Sequence, residues 1–250
     1  RSSNYRKNGG TKNFCTSAAM TEEEMKECLL AGKEEVIRCL ENEIGNNDDN
    51  DETNVFTFGE VGIGNTTTSS ALIAAFTGES GEALCGGGAT TTHTDDEAVV
   101  KNKISIVNQA MSFHDVVAMK SNALLALQNV GGFEIAAMVG AMIEAASRNK
   151  CIIVDGFIVT VASMIACQMA PSTCRSLFFA TKSTEKGQVV ALTAIEKIAK
   201  DNNIPLCVKP ALDMNLRMGE GTGALLAVPL LRSAAAIISN MATLNDVLTL

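Results

Sequence analysis

The 250-residue sequence predicts an α/β protein built on a mostly parallel sheet. Short apolar runs, typical of buried parallel strands, occupy residues 55–58, 151–154 and 177–180. Strand, turn and helix patterns alternate from the first of these runs through the later part of the chain. Since such sheets bind ligands beyond the carboxyl ends of their strands, the turns after these runs are candidate binding sites.

Helical patterns lie before, between and after the strands. Thr21, followed by three glutamates, is a capped and acidic helix start, and apolar spacing extends this helix to about Ile44-Gly45. The final helix is expected to kink or break at Pro229, because proline lacks the N–H that continues helical hydrogen bonding. The helices predicted after the first one cover 69–76, a segment from 95, a segment from 131, 157–169 and 223–241.

Two stretches without such periodicity predict loops. Residues 46–52 are a run of asparagine, aspartate and glutamate, which indicates a solvated loop. A calcium loop is the alternative, although the glycine and the distal glutamate of an EF-hand are missing. Residues 78–94 are rich in glycine and threonine and predict a flexible loop near a ligand.

Composition excludes several classes of function. The net charge of −8 argues against nucleic-acid and membrane partners. Eight cysteines without a C-x-x-C pair and only two histidines argue against a metal site and indicate reduced thiols in a cytoplasmic protein. The longest apolar stretches, 157–170 and 224–236, are expected to be too short or too interrupted to span a bilayer.

The most informative segment follows the first strand and runs from Phe58 to Thr68, with sequence FGEVGIGNTTT. A glycine turn from strand to helix presents backbone N–H groups at the positive end of the helix dipole, which favours phosphate. Glu60 adds a carboxylate there, and the threonines add hydroxyl donors. Asn65 stands where a Walker loop has lysine, and the third glycine of a dinucleotide fingerprint is missing, which argues against a nicotinamide-dependent oxidoreductase. A plain tight turn is the alternative to phosphate binding.

A second glycine-rich segment, Met218-Gly219-Glu220-Gly221-Thr222-Gly223, precedes the final helix. Its three glycines leave the carboxylate of Glu220 unshielded by neighbouring side chains and the backbone open to a ligand. The alternative is a glycine-rich helix entry in which Glu220 compensates the helix dipole.

Polar residues also follow the two later strands. Asp155, after the second strand, is predicted either to contact a ligand or to cap the helix that follows it. The segment Ser183 to Gly187 is either a turn that faces the same crevice or a surface loop. Neither His93 nor His114 has an evident catalytic partner in the sequence.

Taken together, these segments resemble the nicotinate-nucleotide–dimethylbenzimidazole phosphoribosyltransferase family of cobalamin biosynthesis. The similar stretches occur in the family's order along almost the whole chain: 10–14 (GTKNF), 19–21 (AMT), 59–67 (GEVGIGNTT), 130–134 (VGGFE), 154–157 (VDGF), 183–187 (STEKG) and 216–223 (LRMGEGTG).

The resemblance implies transfer of the phosphoribosyl group from nicotinate mononucleotide to 5,6-dimethylbenzimidazole or a related azole, without a cofactor. It implies that Glu220 is the general base, that Glu60 supports positive charge on the sugar and that Met218 lies in the acceptor-base pocket. The residues that it implies around the phosphate and nucleotide are Gly62, Gly64, Asn65, Thr66, Lys103, Asp155, Ser183 and Gly223.

The resemblance also implies a Rossmann-like three-layer fold with a small helical domain, and a homodimer. Residues 1–45 and 223–250 are then expected to form the small domain, and residues 53–222 the α/β domain. Family members carry a further segment before Gly10, so an N-terminal part is expected to be missing. A degenerate or non-catalytic nucleotide-binding relative is the alternative function.

Overall fold

The computed structural model describes residues 9–41, 54–86, 96–216, 218–242 and 248. The predicted calcium-or-solvent loop at 46–52 and His93 lie outside these residues. The elements, in chain order, are α1 (Glu22–Glu41), β1 (Val55–Thr57), α2 (Asn65–Thr77), α3 (Gly81–Leu84), α4 (Asp96–Phe113), α5 (Val116–Ser121), α6 (Ala123–Val130), α7 (Phe133–Ser147), β2 (Cys151–Val154), α8 (Phe157–Met169), a 3-10 helix (Pro171–Ser176), β3 (Leu177–Phe179), α9 (Gly187–Asp201) and α10 (Thr222–Asn240).

The three strands form a parallel sheet, as the apolar runs predicted. Their order in the sheet is β1-β2-β3. Side chains of a strand alternate between the two faces of a sheet. Ile152 and Val154 of β2 belong to the main hydrophobic core, whereas Ile153 belongs to a second cluster with Ala224 and Ala227 of α10. Helices therefore cover both faces of the sheet, which gives the predicted three layers.

The start of α1 is the capping box that the sequence predicted. The backbone N–H of Thr21 donates to the Glu24 carboxylate over 2.8 Å, and the N–H of Glu24 donates to the Thr21 hydroxyl over 3.1 Å. The helix is described to Glu41, so its predicted end near Ile44 lies outside the described residues.

Several elements differ from the sequence prediction, among them four helices that begin in the first half of the chain. Helix α2 begins at Asn65 rather than at Ser69, so its threonines lie inside the helix. A short helix, α3, lies within the predicted flexible loop at 78–94. Helices α5 and α6 were not predicted; the side chains of Asp115 and Asn122 cap them by accepting backbone N–H bonds of 3.0 and 3.1 Å.

Helix α10 continues through Pro229 without a break, in contrast to one of the predicted outcomes. Its first half packs on β2, but apolar side chains farther along are exposed, including Leu230 at 51% and Ile238 at 82%. By length and apolar composition alone α10 could cross a membrane, which corrects the expectation for this stretch, because the helix extends beyond the apolar run to Asn240. Single helices of soluble proteins also meet this criterion.

Helix α1 lies along α7 through contacts between backbones. Gly32 packs on the Ala137 carbonyl, and a Cβ at position 140 would lie 2.7 Å from the carbonyl carbon of Leu29. Glycines at both positions thus allow the two helices to approach more closely than any larger residue would. The grouping of residues 1–45 with 223–250 in one small domain stays a prediction.

The helix contact yields a stability prediction. Gly140→Ala should lower the free energy of unfolding by about 2 kcal/mol, because the new methyl group must push α1 away from α7. Urea denaturation measures this change. Gly156→Ala is the matched control, since a Cβ there meets no atom within 4 Å, and its effect should stay below about 1 kcal/mol. Equal effects of the two substitutions would contradict the close packing of α1 on α7.

Candidate active site

The turns after β1, β2 and β3 open onto one cleft of about 360 Å³. Residues from all three turns, together with the glycine-rich segment before α10, line it. The sequence-predicted residues among them are Glu60, Gly62, Asn65, Thr66, Asp155, Ser183, Met218 and Glu220. The structure thus brings together residues that are up to 160 positions apart in the chain.

The two glutamates meet in this cleft because two glycine-rich backbones touch. A Cβ at Gly59 would lie 2.5 Å from the Glu220 carbonyl oxygen and 2.8 Å from the Gly221 nitrogen. A Cβ at Gly219 would lie 3.4 Å from a carboxylate oxygen of Glu60. Side chains at positions 59 and 219 would therefore separate the two segments and fill the space beside the Glu60 carboxylate.

The carboxyl group of Glu60 lies in an acidic and partly desolvated environment. Burial raises its pKa to about 7, and the charges of Glu134, Asp155 and Glu220 act in the same direction. The side-chain amide of Asn65 donates a hydrogen bond to this carboxylate and opposes the shift. At neutral pH Glu60 is therefore a mixture of its protonated and ionised forms.

Glu220 lies at the solvent-exposed mouth of the cleft. Its backbone is left-handed, with φ of 63°, and Gly221 next to it has φ of 79°. This conformation is unfavourable for a residue with a Cβ, so Glu220 is kept there by its surroundings rather than by local preference. Met218, on the same segment, also lines the cleft and is 68% exposed.

Asp155 is 3% exposed and takes the capping role, but for a helix other than the one that follows it, which was the helix the sequence indicated. Its Oδ1 accepts the backbone N–H of Ala224 in α10 over 2.9 Å, although α8 is the helix that directly follows it. Burial raises the pKa of Asp155, and these backbone hydrogen bonds oppose the rise. Gly223 leaves room for the contact, because a Cβ there would lie 2.5 Å from Oδ1.

Three of the predicted residues, Gly64, Lys103 and Gly223, lie near the cleft without lining it. Gly64 caps α2 with φ of 80°, a conformation that favours glycine. The Lys103 Nζ donates to the Gly86 carbonyl over 3.2 Å, and Gly86 packs against Glu185, which does line the cleft. Lys103 is therefore placed behind the wall of the cleft.

The segment from 181 to 185 is held toward the cleft by Gln188 of α9. The Gln188 amide donates to the Thr181 carbonyl over 2.9 Å and accepts the Ser183 N–H over 2.6 Å. The Ser183 hydroxyl accepts the N–H of Glu185 over 3.1 Å, which leaves its own hydrogen available. These bonds favour a turn that faces the crevice over a free surface loop.

The sequence interpretation missed the first turn of α8 and Glu134. Gly156, Phe157, Ile158 and Val159 line the cleft, so a second helix N-terminus joins that of α2 there. The sequence signal that could have identified this second N-terminus was a strand followed by Asp-Gly and an apolar helix. Glu134 of α7 packs behind Gly62, where a Cβ would lie 3.1 Å from its Oε1; no local pattern indicates that contact.

The side-chain types that ligate metals, His, Cys, Asp and Glu, are spread through the fold. In the part of the chain that the structure describes, no cluster of three or more of them could hold a metal ion. His114 has its Nε2 2.7 Å from the Phe14 carbonyl oxygen, a structural contact outside the cleft.

Of the three threonines after Asn65, Thr66 lines the cleft, whereas Thr67 is buried.

Known proteins are similar to this chain over nearly its whole length. A family model described as phosphoribosyltransferase matches residues 3–247. The nicotinate-nucleotide–dimethylbenzimidazole phosphoribosyltransferase of Xanthomonas oryzae pv. oryzae is 36% identical over 94% of this chain and 60% of its own length. The protein of that name from Pseudomonas fluorescens is 37% identical over 95% of this chain and 60% of its own length.

A solved structure agrees with these relatives. The crystal structure of the Thermus thermophilus protein with the same name is 34% identical, has a TM-score of 0.77, and covers 95% of this chain and 62% of that chain. This likeness confirms the predicted α/β fold. The chain spans about 60% of the length of the curated relatives that it matches.

The left-handed backbone at Glu220 yields a prediction about stability. Glu220→Gly should raise the free energy of unfolding by about 0.5–1 kcal/mol, because glycine adopts positive φ without steric cost. Urea denaturation measures this gain. The control Glu220→Gln retains the Cβ and should leave stability unchanged. A loss of stability in the glycine variant would show that the side chain, rather than the strained backbone, dominates at this position.

The raised pKa of Glu60 yields a prediction about pH. Its folded pKa of about 7 exceeds the ordinary 4.5, so the stabilising contribution of the protonated group is complete below pH 4.5 and is lost as the pH rises through 7. The Tm of Glu60→Gln relative to the unmodified protein should therefore rise by about 2–5 °C between pH 5 and pH 8. Differential scanning calorimetry across that range measures it. A constant difference in Tm would place the pKa of Glu60 near its ordinary value.

Proposed function

This chain belongs to the phosphoribosyltransferase family, and from that premise we propose that it transfers the 5-phosphoribosyl group of nicotinate mononucleotide to 5,6-dimethylbenzimidazole or a related azole. The products are nicotinate and α-ribazole 5′-phosphate, in the nucleotide-loop step of cobalamin biosynthesis. The observation that carries the proposal is the position of Glu60 and Glu220 in one cleft whose wall includes two helix N-termini.

The helix N-termini supply the donor's phosphate with a local positive potential. Backbone N–H groups in the first turns of α2 and α8 have no carbonyl partner within their own helix and favour anions. Asn65 and Thr66 of α2, and Phe157 to Val159 of α8, line the cleft. Such a local site is needed, because the net charge of −8 repels a phosphate at longer range. The Ser183 hydroxyl adds a donor.

The carboxylates match the charge that the reaction develops. Nicotinate in the donor is a pyridinium, so the bond from its nitrogen to C1′ breaks with the electron pair moving to nitrogen, and no general acid is needed. The positive charge then spreads over C1′ and the ring oxygen, where the nearby carboxylates of Glu60 and Glu220 stabilise it. A bound cation also favours ionisation of Glu60, whose pKa is about 7 in this structure.

The acceptor azole attacks C1′ on the face opposite the departing nicotinate, which inverts the anomeric configuration. As the new bond from azole nitrogen to C1′ forms, Glu220 accepts the azole N–H proton as a general base. Its place at the exposed mouth of the cleft suits a residue that meets the second substrate. Leu216 and Met218 line the cleft beside it and provide apolar contacts for a flat aromatic base.

The proposal includes a homodimer in the cytoplasm. The relatives named above are bacterial phosphoribosyltransferases, which supports the location. The exposed apolar side chains of α10, among them Leu225 at 60% and Ile237 at 57%, support contact with a second copy. Small molecules are the only other partners proposed.

The general-base role can be tested with the purified chain. Incubation with nicotinate mononucleotide and dimethylbenzimidazole should release nicotinate, detected by mass spectrometry together with the ribazole phosphate. Glu220→Gln should lower turnover about 10²–10⁴-fold, because it removes the proton acceptor while it keeps the size and shape of the side chain. Binding of the donor, measured by calorimetry, should change little.

Glu34→Gln is the matched control, since Glu34 is exposed on α1 outside the cleft. Unchanged turnover in Glu220→Gln would remove Glu220 from the base role. Donor binding without nicotinate release, for a panel of azoles, would instead identify this chain as a non-catalytic relative.

A further inference from the structure

The Asp155 carboxylate joins the central strand to the start of α10. It follows β2 directly, and its Oδ1 accepts the Ala224 N–H over 2.9 Å, a contact across 69 positions of sequence. The backbone N–H groups of Gly221 and Gly223 also lie close enough to this carboxylate to lower its pKa. Asp155 therefore accepts a hydrogen bond from one of the N–H groups that the first turn of a helix leaves without partners, and lies beside two neighbouring ones.

The position of Glu220 depends on the same turn. Glu220 directly precedes Gly221, whose N–H lies beside the Asp155 carboxylate, and the hydrogen bond from Ala224 to Asp155 restrains the turn that begins there. Glu220 has φ of 63°, a conformation that a residue with a Cβ keeps only under constraint. On its other side the constraint is the backbone of Gly59.

We infer that Asp155 is a positioning residue for the transfer reaction, which holds the Glu220 segment in its productive conformation through the N-terminus of α10. This inference rests on the proposed function and assigns to Asp155 a role different from direct nucleotide binding. Asp155 acts through the Gly221–Ala224 backbone. Its burial at 3% exposure and its hydrogen bonds leave its Oδ1 directed at α10 rather than at a ligand.

Direct contact with the donor is the competing role, because Asp155 also lines the cleft. The two roles predict different kinetic effects. A lost donor contact raises the KM for nicotinate mononucleotide, whereas a displaced general base lowers kcat at nearly constant KM. The two roles also differ when no substrate is bound. Replacement of Asp155 then changes the dynamics of residues 219–224 only if Asp155 positions that segment.

The experiment compares Asp155→Ala and Asp155→Asn with a matched cap variant. Asp115→Ala is that control: Asp115 caps α5 with a single 3.0 Å bond to Ala118, and its loss should affect neither the cleft nor α10. Amide hydrogen exchange is followed in the peptide that contains Gly219 to Ala224, without substrate. Steady-state kinetics are measured on the same samples.

Asp155→Ala should accelerate exchange in the 219–224 peptide about 10-fold and lower kcat about 10–100-fold, with the donor KM within about 2-fold. Asp155→Asn keeps an acceptor oxygen, so its exchange rate and kcat should lie between those of Asp155→Ala and the unmodified protein. If the alanine variant does not fold, the asparagine variant still tests the inference. Asp115→Ala should match the unmodified protein in both measurements.

Unchanged exchange in both Asp155 variants, or a raised donor KM with unchanged kcat, would overturn the inference. Failure of the proposed function gives a different result. The unmodified chain would then release no nicotinate, while the exchange measurement would still decide whether Asp155 fixes the Glu220 segment.

Discussion

Contact between the backbone of Gly59 and the backbone of Glu220–Gly221 brings the two halves of the cleft together. A Cβ at position 59 would lie 2.5 Å from the Glu220 carbonyl oxygen, so any side chain there would push the segments apart. The carboxylates that follow these backbones enter one cavity as a result. The left-handed backbone at Glu220 and the raised pKa of Glu60 are costs of this arrangement, since neither is favourable in isolation.

Electrostatics explain why such a cleft suits a cationic reaction centre. Burial raises the pKa of Glu60, and repulsion from the nearby charges of Glu134, Asp155 and Glu220 raises it further, so the cleft favours its protonated form. A pyridinium donor or a positively charged ribose relieves this repulsion. The dianionic phosphate requires the opposite sign, which the first turns of α2 and α8 supply through backbone groups. Under the proposed function, one small cavity thus offers backbone N–H groups to the phosphate and carboxylates to the cationic part of the donor.

The sequence predicted the features that depend only on residues close to one another in the chain. The capping box at Thr21, the apolar strand β2 and the limits of α8 follow from side-chain types within a few residues. The glycines of both motifs predicted a backbone open to a ligand, but not that the two segments contact each other. The partner of Asp155 is 69 positions away, so the sequence indicated a cap but the wrong helix. Lys103 and Glu134 reach the surroundings of the cleft through tertiary packing, which no spacing in the sequence specifies.

The crystal structure of the Glu220→Gln variant with nicotinate mononucleotide would test the central claim most directly. We expect the ribose to lie between positions 60 and 220, with the phosphate at the first turns of α2 and α8. A nucleotide bound in a different cavity, or with its ribose remote from either position, would show that Glu60 and Glu220 do not act on one ribose.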